Sequence, residues 1–490
     1  MNESAPQRPK EKSEEALLSR RRLLGGAAAF AGSALLGSYL LTKDNGADED
    51  RINELDPPSP SPEKLSELTL VRNNIRTRVE SIRKRSFMEK PNRGKNMLNN
   101  SVLNPDYASV AIVVEENGVL RLLHLQNVRQ LSKQTRNGAG SGVYTHLEGG
   151  TKYQIALEDT VVDIGVSNRF SVRKQSEGEN STLPVHAVKR SRYEKEHVAN
   201  KVIDKNGKEK VVKEVLGDYV GYVTYIPPAS HLTHKESISS GKEYVDTVLE
   251  SAYTVLSHRM TKSNQKVLGL CRDICRRLAV IEHVDPNVII RAEAKKSGET
   301  ETHTEARKRS IYQKMYAEYG LNQDTSFNHL INFLGAGGMM QIMQKTYRDV
   351  RLRMIARKLF LPEEISEDAN EGRKDPLISA IIAMYLCYDN YLVKGKILSG
   401  KRDDEIELAL VAMYNGSPNL LTKILKRVGK NKIVSNARVE KTLASYPNPT
   451  PFVEKLLTHR EGIQIPGSSE SENGNYLGKY VWLKSNEKRM

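Results

Sequence analysis

Glu282 stands at the end of a segment whose apolar residues recur every three or four positions. This spacing predicts an amphipathic helix, and it places Glu282 on or beside the apolar face. The Asp285-Pro286 pair predicts that the helix ends just beyond the glutamate. Burial and the negative end of the helix dipole both favour the protonated form of such a carboxyl, which makes Glu282 a candidate general acid. A surface glutamate paired with Arg277 or His283 is the alternative interpretation.

A glycine-rich stretch runs into methionines in "GAGGMMQIMQKTY", residues 335–347. Its glycines, including Gly338, allow a tight turn and a close approach of the backbone to a ligand. Met339 and Met340 are apolar, and the amide of Gln341 offers one acceptor and two donors. Taken alone, the stretch predicts either one wall of a binding site or a turn that enters a core helix.

A third stretch, "DDEIELALVAMYNGSPNLL", combines helical spacing with turn-forming residues. The pattern predicts a helix that breaks at residues 414–418. Such a break would expose the phenol of Tyr414 and the amide of Asn415 beside a turn. An ordinary helix end is the alternative interpretation.

Together, in this order, the three stretches resemble the motifs of the lytic transglycosylases, a family of the lysozyme superfamily. "GAGGMMQIMQKTY" resembles the family's G-A-x-G-L-M-Q-(I/L)-x-P-x-T signature, and "LALVAMYNGSPNLL" resembles its A-x-Y-N-x-G-P element. "IEHVDP" is similar to the catalytic E-S-x-F-(N/D)-P segment. "DPLISAIIAMYLCYDNYL" and "SYPNPTPFVEKLL" are similar to further family segments, so the resemblance covers roughly residues 264–457.

The chain departs from the family pattern near its candidate acid. His283 replaces the family serine, Gln344 replaces a proline, and "IEHVDP" is one residue shorter than the family segment. The gap between Glu282 and the glycine turn is longer than the family's, which implies an inserted helical or loop segment. "HVDPNVIIRAEAKKSG" can also be aligned with the family's V-D-P-x-L-x-x-A-I-x-x-E-S-G stretch, which makes Glu293 the alternative catalytic residue.

The resemblance implies a lysozyme-like fold and an activity on peptidoglycan, with neither a cofactor nor a metal. Family members cleave the β-1,4 bond between N-acetylmuramic acid and N-acetylglucosamine with one glutamate, Glu282 in this chain, and leave a 1,6-anhydro product. Tyr414 would contact or orient the acid, and Asn415 would hold the turn. A lysozyme-type hydrolase and a non-catalytic wall-binding scaffold are the alternatives. The residues implied to bind the glycan are Gly338, Met339, Met340, Gln341, Tyr414 and Asn415.

The N-terminus has the features of an export signal. Three arginines at residues 20–22 precede an apolar run over residues 23–41, close to the ~20 residues that a helix needs to cross a bilayer. "SRRRLL" resembles the twin-arginine export signal, and the positive-inside rule predicts that the mass of the chain is exported. We expect a periplasmic or cell-envelope protein that meets the membrane through residues 23–41, either as a retained anchor or as a cleaved signal.

Composition favours an anionic partner other than nucleic acid. The formal net charge is +15, but only 6% of residues are aromatic, and no nucleic-acid-binding signature is evident. The positive charge suits peptidoglycan, because its peptides carry carboxylates. The three cysteines form no disulfide framework or metal-ligand pattern, and we expect most of them to be buried thiols.

Pattern changes along the chain predict an α+β protein with five segments. The amphipathic helix expected at residues 64–84 is predicted to pack against protein, with a membrane-surface role as the alternative. The segments are a signal or anchor (1–45), a linker with the amphipathic helix (46–100), a mainly β domain of unassigned role (101–230), a mainly α, lysozyme-like transglycosylase domain (231–460) and a polar tail (461–490).

Overall fold

The computed structural model combines antiparallel β-strands with a larger number of residues in α-helices, in agreement with the predicted mixture of α and β structure. The predicted export signal and the Pro/Ser linker lie outside the described residues. The structure describes residues 63–490 apart from 102, 104–109, 126–142, 149–150, 158–169, 177–178, 194–198, 204–208, 214–218, 229, 285–288, 290–291, 294–299, 328–335, 428–442, 444–445, 447 and 459–471.

Two helices open the described chain, α1 (Glu63–Arg83) and α2 (Glu89–Asn99). The first confirms the amphipathic helix predicted at residues 64–84. Four apolar side chains on one face of this helix are buried in the main hydrophobic core: Leu68, Val71, Val79 and Ile82. The apolar face of α1 is therefore covered by protein, as the packing interpretation predicts.

All ten named strands lie between residues 110 and 225, where the sequence patterns predict a mainly β segment. They form two four-stranded antiparallel sheets, with orders β10-β7-β1-β2 and β3-β4-β5-β6, and a separate β8-β9 pair. The strands are β1 (Val110–Glu116), β2 (Val119–Leu125), β3 (Val143–Glu148), β4 (Thr151–Leu157), β5 (Phe170–Ser176), β6 (Glu179–Leu183), β7 (Val185–Tyr193), β8 (Ala199–Ile203), β9 (Glu209–Lys213) and β10 (Tyr219–Tyr225).

The stretch "EENG" joins β1 to β2 as an antiparallel hairpin. Asn117 and Gly118 form its two-residue turn, and both have positive φ angles, 51° and 79°. Asn and Gly tolerate this left-handed backbone, which is why an Asn-Gly pair is a strong hairpin signal. Apolar side chains from both four-stranded sheets then share one hydrophobic cluster, including Ile112, Tyr153 and Val172.

Helices dominate the chain after β10. A buried amide joins the two parts, because Asn322 accepts from the backbone N–H of Ile226 and donates to its carbonyl, at 2.7 and 2.8 Å. The helices are α3 (Lys235–Arg259), α4 (Gln265–Ile281), α5 (Glu301–Asn322), α6 (Gln344–Ala356), α7 (Ala369–Lys374), α8 (Pro376–Val393), α9 (Gly395–Leu398), α10 (Asp403–Arg427), α11 (Pro451–Thr458) and α12 (Glu472–Asn486).

The main core is built around α8. Asp375 begins this helix by accepting from the backbone N–H of Ile378, and Pro376 occupies its first turn. Among the described residues, α8 is the one helix that is long and apolar enough to span a membrane, but 72% of it is buried inside the protein. Such burial is typical of a core helix.

The break predicted at residues 414–418 is wrong, because α10 continues through it and contains Pro418. A proline inside a helix costs about 3 kcal/mol. Leu421 and Ile424 lie beyond the proline and are buried in the main core. Each buried aliphatic side chain contributes about 1.5–3 kcal/mol, so their burial offsets the local cost.

The polar tail predicted at residues 461–490 is also wrong, because α12 lies within it. Leu477, Tyr480 and Leu483 recur every three residues along this helix and are buried. This helical spacing is present in the sequence, but the charged and small residues around it lower the mean hydropathy. The helix packs on both α4 and α10.

Candidate functional site

Glu282 is the C-cap of α4, directly after its last residue, Ile281, so the helix ends close to the predicted point. The apolar face of α4, which includes Cys271, Ile274 and Leu278, is buried in the core. The next residue in the apolar pattern, Ile281, is also buried, whereas Glu282 is only half-buried. The core therefore fixes the helix, and the carboxyl lies at its margin.

A phenol from the C-terminal helix contacts this carboxyl. The hydroxyl of Tyr476, on α12, donates a hydrogen bond to Oε1 of Glu282. Burial raises the pKa of Tyr476 well above its usual value, and the negative charge of Glu282 raises it further. The phenol therefore keeps its proton at neutral pH and can donate it in a hydrogen bond. Sequence reasoning missed Tyr476 because its segment was predicted to be a polar tail.

The glycine stretch forms a tight antiparallel turn. Gly337 and Ile342 exchange backbone hydrogen bonds of 3.3 and 3.2 Å. Between them, Gly338 and Gln341 have positive φ angles, 74° and 46°. Glycine is required at 338 for a second reason, since a Cβ there would lie 1.9 Å from the carbonyl oxygen of Arg373. The predicted tight turn is therefore present, although Gly335 lies outside the described residues.

Arg373, on the short helix α7, binds the backbone of the turn. Its side chain is buried, and Nη1 donates to the carbonyl of Ile342 at 2.8 Å. Nε donates to the carbonyl of Ala369 at 2.8 Å, which fixes the guanidinium on its own helix. The sequence gives no signal for this contact, because Arg373 resembles an ordinary surface residue of a polar segment.

The methionines of the turn face the core rather than an open groove. The side chains of Met339 and Met340 are 2% and 0% exposed. Gln341 is half-buried, and its Nε2 donates to the carbonyl of Gly338 at 3.0 Å. The implied groove lining by these side chains is therefore not seen: the Met side chains fill the core, and an amide donor of Gln341 is used within the turn.

The backbone of the turn, however, is connected to the end of α4. His283 follows Glu282 directly, and its Nε2–H donates to the carbonyl of Met339 at 2.9 Å. Burial lowers the pKa of His283 to about 3, so the ring is neutral. It stacks on Phe327 with ring centroids 3.5 Å apart. His283 therefore attaches the glycine turn to the end of α4, next to Glu282.

Tyr414 provides a second connection to the turn. Its hydroxyl donates to the carbonyl of Met340 at 2.8 Å. Burial raises the pKa of Tyr414 well above its usual value, and the charge of Glu282 is the next cause, so the phenol lies within electrostatic reach of the carboxyl. The expected role of Tyr414, to contact or orient the acid, stays a prediction, because its hydroxyl binds the carbonyl of Met340. Asn415 lies within α10, and the turn that it was expected to hold is not formed.

The alternative acid, Glu293, has a different environment. Its Oε1 lies 3.0 Å from Nζ of Lys308 on α5, and Lys308 is itself buried. Lys308 also approaches Glu305, at 3.6 Å. These contacts with a buried ammonium are typical of a structural ion pair.

No group of three or more His, Cys, Asp or Glu side chains in the described part of the chain is arranged to hold a metal ion. All three cysteines are buried free thiols, as predicted. Burial raises the pKa of Cys271 and of Cys275 well above the usual value, so both thiols stay protonated.

Comparison of the chain with protein-family models, with curated proteins and with solved structures found no match.

Proposed function

We propose that this protein is an exported peptidoglycan lytic transglycosylase with Glu282 as its single acid and base. The observation that carries the proposal is the convergence of three distant segments on this carboxyl. Tyr476 donates to Glu282, while His283 and Tyr414 attach the glycine turn beside it through the carbonyls of Met339 and Met340. The glycine turn, the segment of Tyr414 and the segment of Glu282 itself are the three that resemble the family motifs, and they lie together at the end of α4.

The chemistry needs a carboxyl that can both give and accept a proton. Glu282 first protonates the glycosidic oxygen as the bond from the muramic acid C1 breaks. The resulting carboxylate takes the proton of the C6 hydroxyl as the bond from O6 to C1 forms. The product is a 1,6-anhydro sugar, and Glu282 returns to its starting state. A hydrolase would place water where this step places O6, commonly with a second carboxylate.

The remaining parts of the proposal concern the fold family, the partner and the location. A helix that ends next to Glu282, with a tight antiparallel turn held against that helix end, supports a lysozyme-like catalytic domain. The net charge of +15 supports binding to the acidic cell wall. Export and membrane attachment are supported by the arginines and apolar run in residues 20–41 alone.

The test is a comparison of two glutamine variants in the digestion of purified peptidoglycan. We expect Glu282→Gln to lower the release of soluble fragments by about 10²–10⁴-fold, because general acid–base catalysis contributes this much. Glu293→Gln is the matched control and should retain wild-type activity. Full activity of Glu282→Gln would contradict the assignment, and loss confined to Glu293→Gln would move it to that residue. An inactive wild type would favour the wall-binding scaffold.

A further inference from the structure

A buried lysine lies against the backbone on both sides of Glu282. Nζ of Lys479, on α12, donates to the carbonyls of Ile281 and Val284 at 2.9 and 2.8 Å. Its side chain is only 6% exposed. The last carbonyls of a helix have no partner within the helix and carry its negative dipole end. Lys479 therefore places an ammonium at the end of α4, against the backbone on either side of Glu282.

The same face of α12 supplies two different groups to this turn. Tyr476 and Lys479 are three residues apart and therefore neighbours on one helix face. The phenol donates to Glu282 directly, whereas the ammonium binds the carbonyls that flank it. One helix thus controls both the orientation and the electrostatic surroundings of the candidate acid.

The other titratable groups around Glu282 are neutral near pH 7. Burial raises the pKa values of Tyr476, Tyr414 and Tyr319 well above normal, so these phenols stay protonated. Burial holds the pKa of His283 at about 3, so its ring carries no charge. From the core side, Cys275 is a protonated buried thiol, and its neighbour Cys387 is buried as well.

The nearest arginine along α4 is already occupied. Arg277 lies five residues before Glu282, and its guanidinium binds Glu407 of α10 at 2.9 Å and Glu487 at 3.0 Å. Its charge is therefore balanced by carboxylates within its own network. Among the described groups that face the end of α4, Lys479 is the charged one.

We propose that Lys479 is a positioning residue that sets the balance between the acid and carboxylate forms of Glu282. This inference rests on the proposed function. Partial burial and the helix dipole both disfavour the carboxylate, and a carboxyl held permanently as the acid could not accept the C6 hydroxyl proton. The ammonium opposes both effects. Glu282 is thereby able to donate the proton in the first step and to accept one in the second.

The first test is the pH profile of peptidoglycan cleavage. Lys479→Met keeps the length of the side chain and removes its charge, so the acid form of Glu282 persists to higher pH. We expect the alkaline limb of kcat/KM to move up by about one pH unit, the lower end of the effect of an opposite charge nearby. Lys479→Arg should restore the wild-type limb. An unchanged limb in Lys479→Met would overturn the inference.

Lys484→Met is the matched control for the pH profile. Lys484 lies on the same helix, but its Nζ binds Glu407 rather than the end of α4. Removing it deletes the same formal charge from α12, so its limb should stay within a few tenths of a pH unit of wild type. An equal shift in both variants would show a general effect of net charge and would also contradict a specific role of Lys479.

A second test needs no turnover and therefore separates this inference from the proposed function. Thermal unfolding midpoints of wild type, Lys479→Met, Glu282→Gln and the double variant form a double-mutant cycle. We expect the coupling between the two positions to grow as pH rises, because only the carboxylate attracts the ammonium. A coupling that is the same at every pH would mean that Lys479 is only a cap for the carbonyls of α4, and it would overturn the inference.

Discussion

Tyr476 holds the carboxyl of Glu282 although no motif marks it. At the residue scale, the candidate site depends on side chains that lie far from Glu282 in the sequence. Tyr476 comes from α12, and Tyr414 comes from α10. Their pKa values are raised chiefly by burial, so both phenols remain hydrogen-bond donors across the physiological pH range.

We predict that Tyr476→Phe lowers kcat for peptidoglycan cleavage about tenfold while the protein stays folded. A hydrogen bond to a charged group contributes about 1.5–3 kcal/mol, and part of this is expressed in the transition state. Tyr446→Phe is the control, because the Tyr446 hydroxyl also donates to a carboxylate, that of Asp404 at 3.0 Å, but Tyr446 lies outside α12. A wild-type kcat in Tyr476→Phe, or an equal loss in both variants, would contradict the role of Tyr476.

At the element scale, the glycine turn is the part of the site with the least freedom to change. It is closed by paired backbone hydrogen bonds between Gly337 and Ile342 and pressed against the backbone of Arg373. Two further side chains, His283 and Tyr414, are attached to its carbonyls. These hydrogen bonds therefore fix the position of the turn relative to the end of α4.

We predict that Gly338→Ala lowers the free energy of unfolding by about 1–3 kcal/mol, because the new Cβ meets a carbonyl oxygen and the backbone has a positive φ angle. Gly269→Ala is the matched control. A Cβ at Gly269 has open space, and Ala is the better helix former by about 1 kcal/mol. Chemical denaturation measures both. A Gly338→Ala protein as stable as wild type would contradict this account of the turn.

The sequence predicted the elements that depend on a regular spacing of residue types and on contacts between residues close together in the chain. The helix ending at Glu282, the Asn117-Gly118 hairpin and the tight turn at Gly338 are all present. It failed where long-range packing decided the outcome. The helix that contains Pro418 was expected to break there, but it continues because residues after the proline are buried. The segment of α12 was expected to be a polar tail.

The functional contacts were harder to predict than the elements. A motif marked Tyr414 as a site residue, but it did not predict the hydrogen bond to the carbonyl of Met340. Met339 and Met340 were expected beside the glycan, yet their side chains fill the core and only their carbonyls engage the site. A linear motif specifies residue types. Packing decides whether the backbone or the side chain of each residue contacts the site.

At the scale of the whole molecule, the C-terminal helix completes the helical part of the chain. Arg277 of α4, Glu407 of α10 and Tyr480 of α12 form one buried network at the point where the three helices meet. The network fixes α12, and α12 in turn places Tyr476 and Lys479 at Glu282. The candidate site is therefore a product of the complete helical assembly rather than of one motif.

The proposed reaction differs from hydrolysis in the bond that replaces the broken glycosidic bond. The mass of the products therefore tests it most directly. Purified peptidoglycan is digested with the wild-type protein, and the released muropeptides are analysed by mass spectrometry. We expect the wild type to release muramic acid ends that are lighter by one water than hydrolysis products. We expect Glu282→Gln to release none of these ends. Products with ordinary reducing ends, or no products from the wild type, would contradict it.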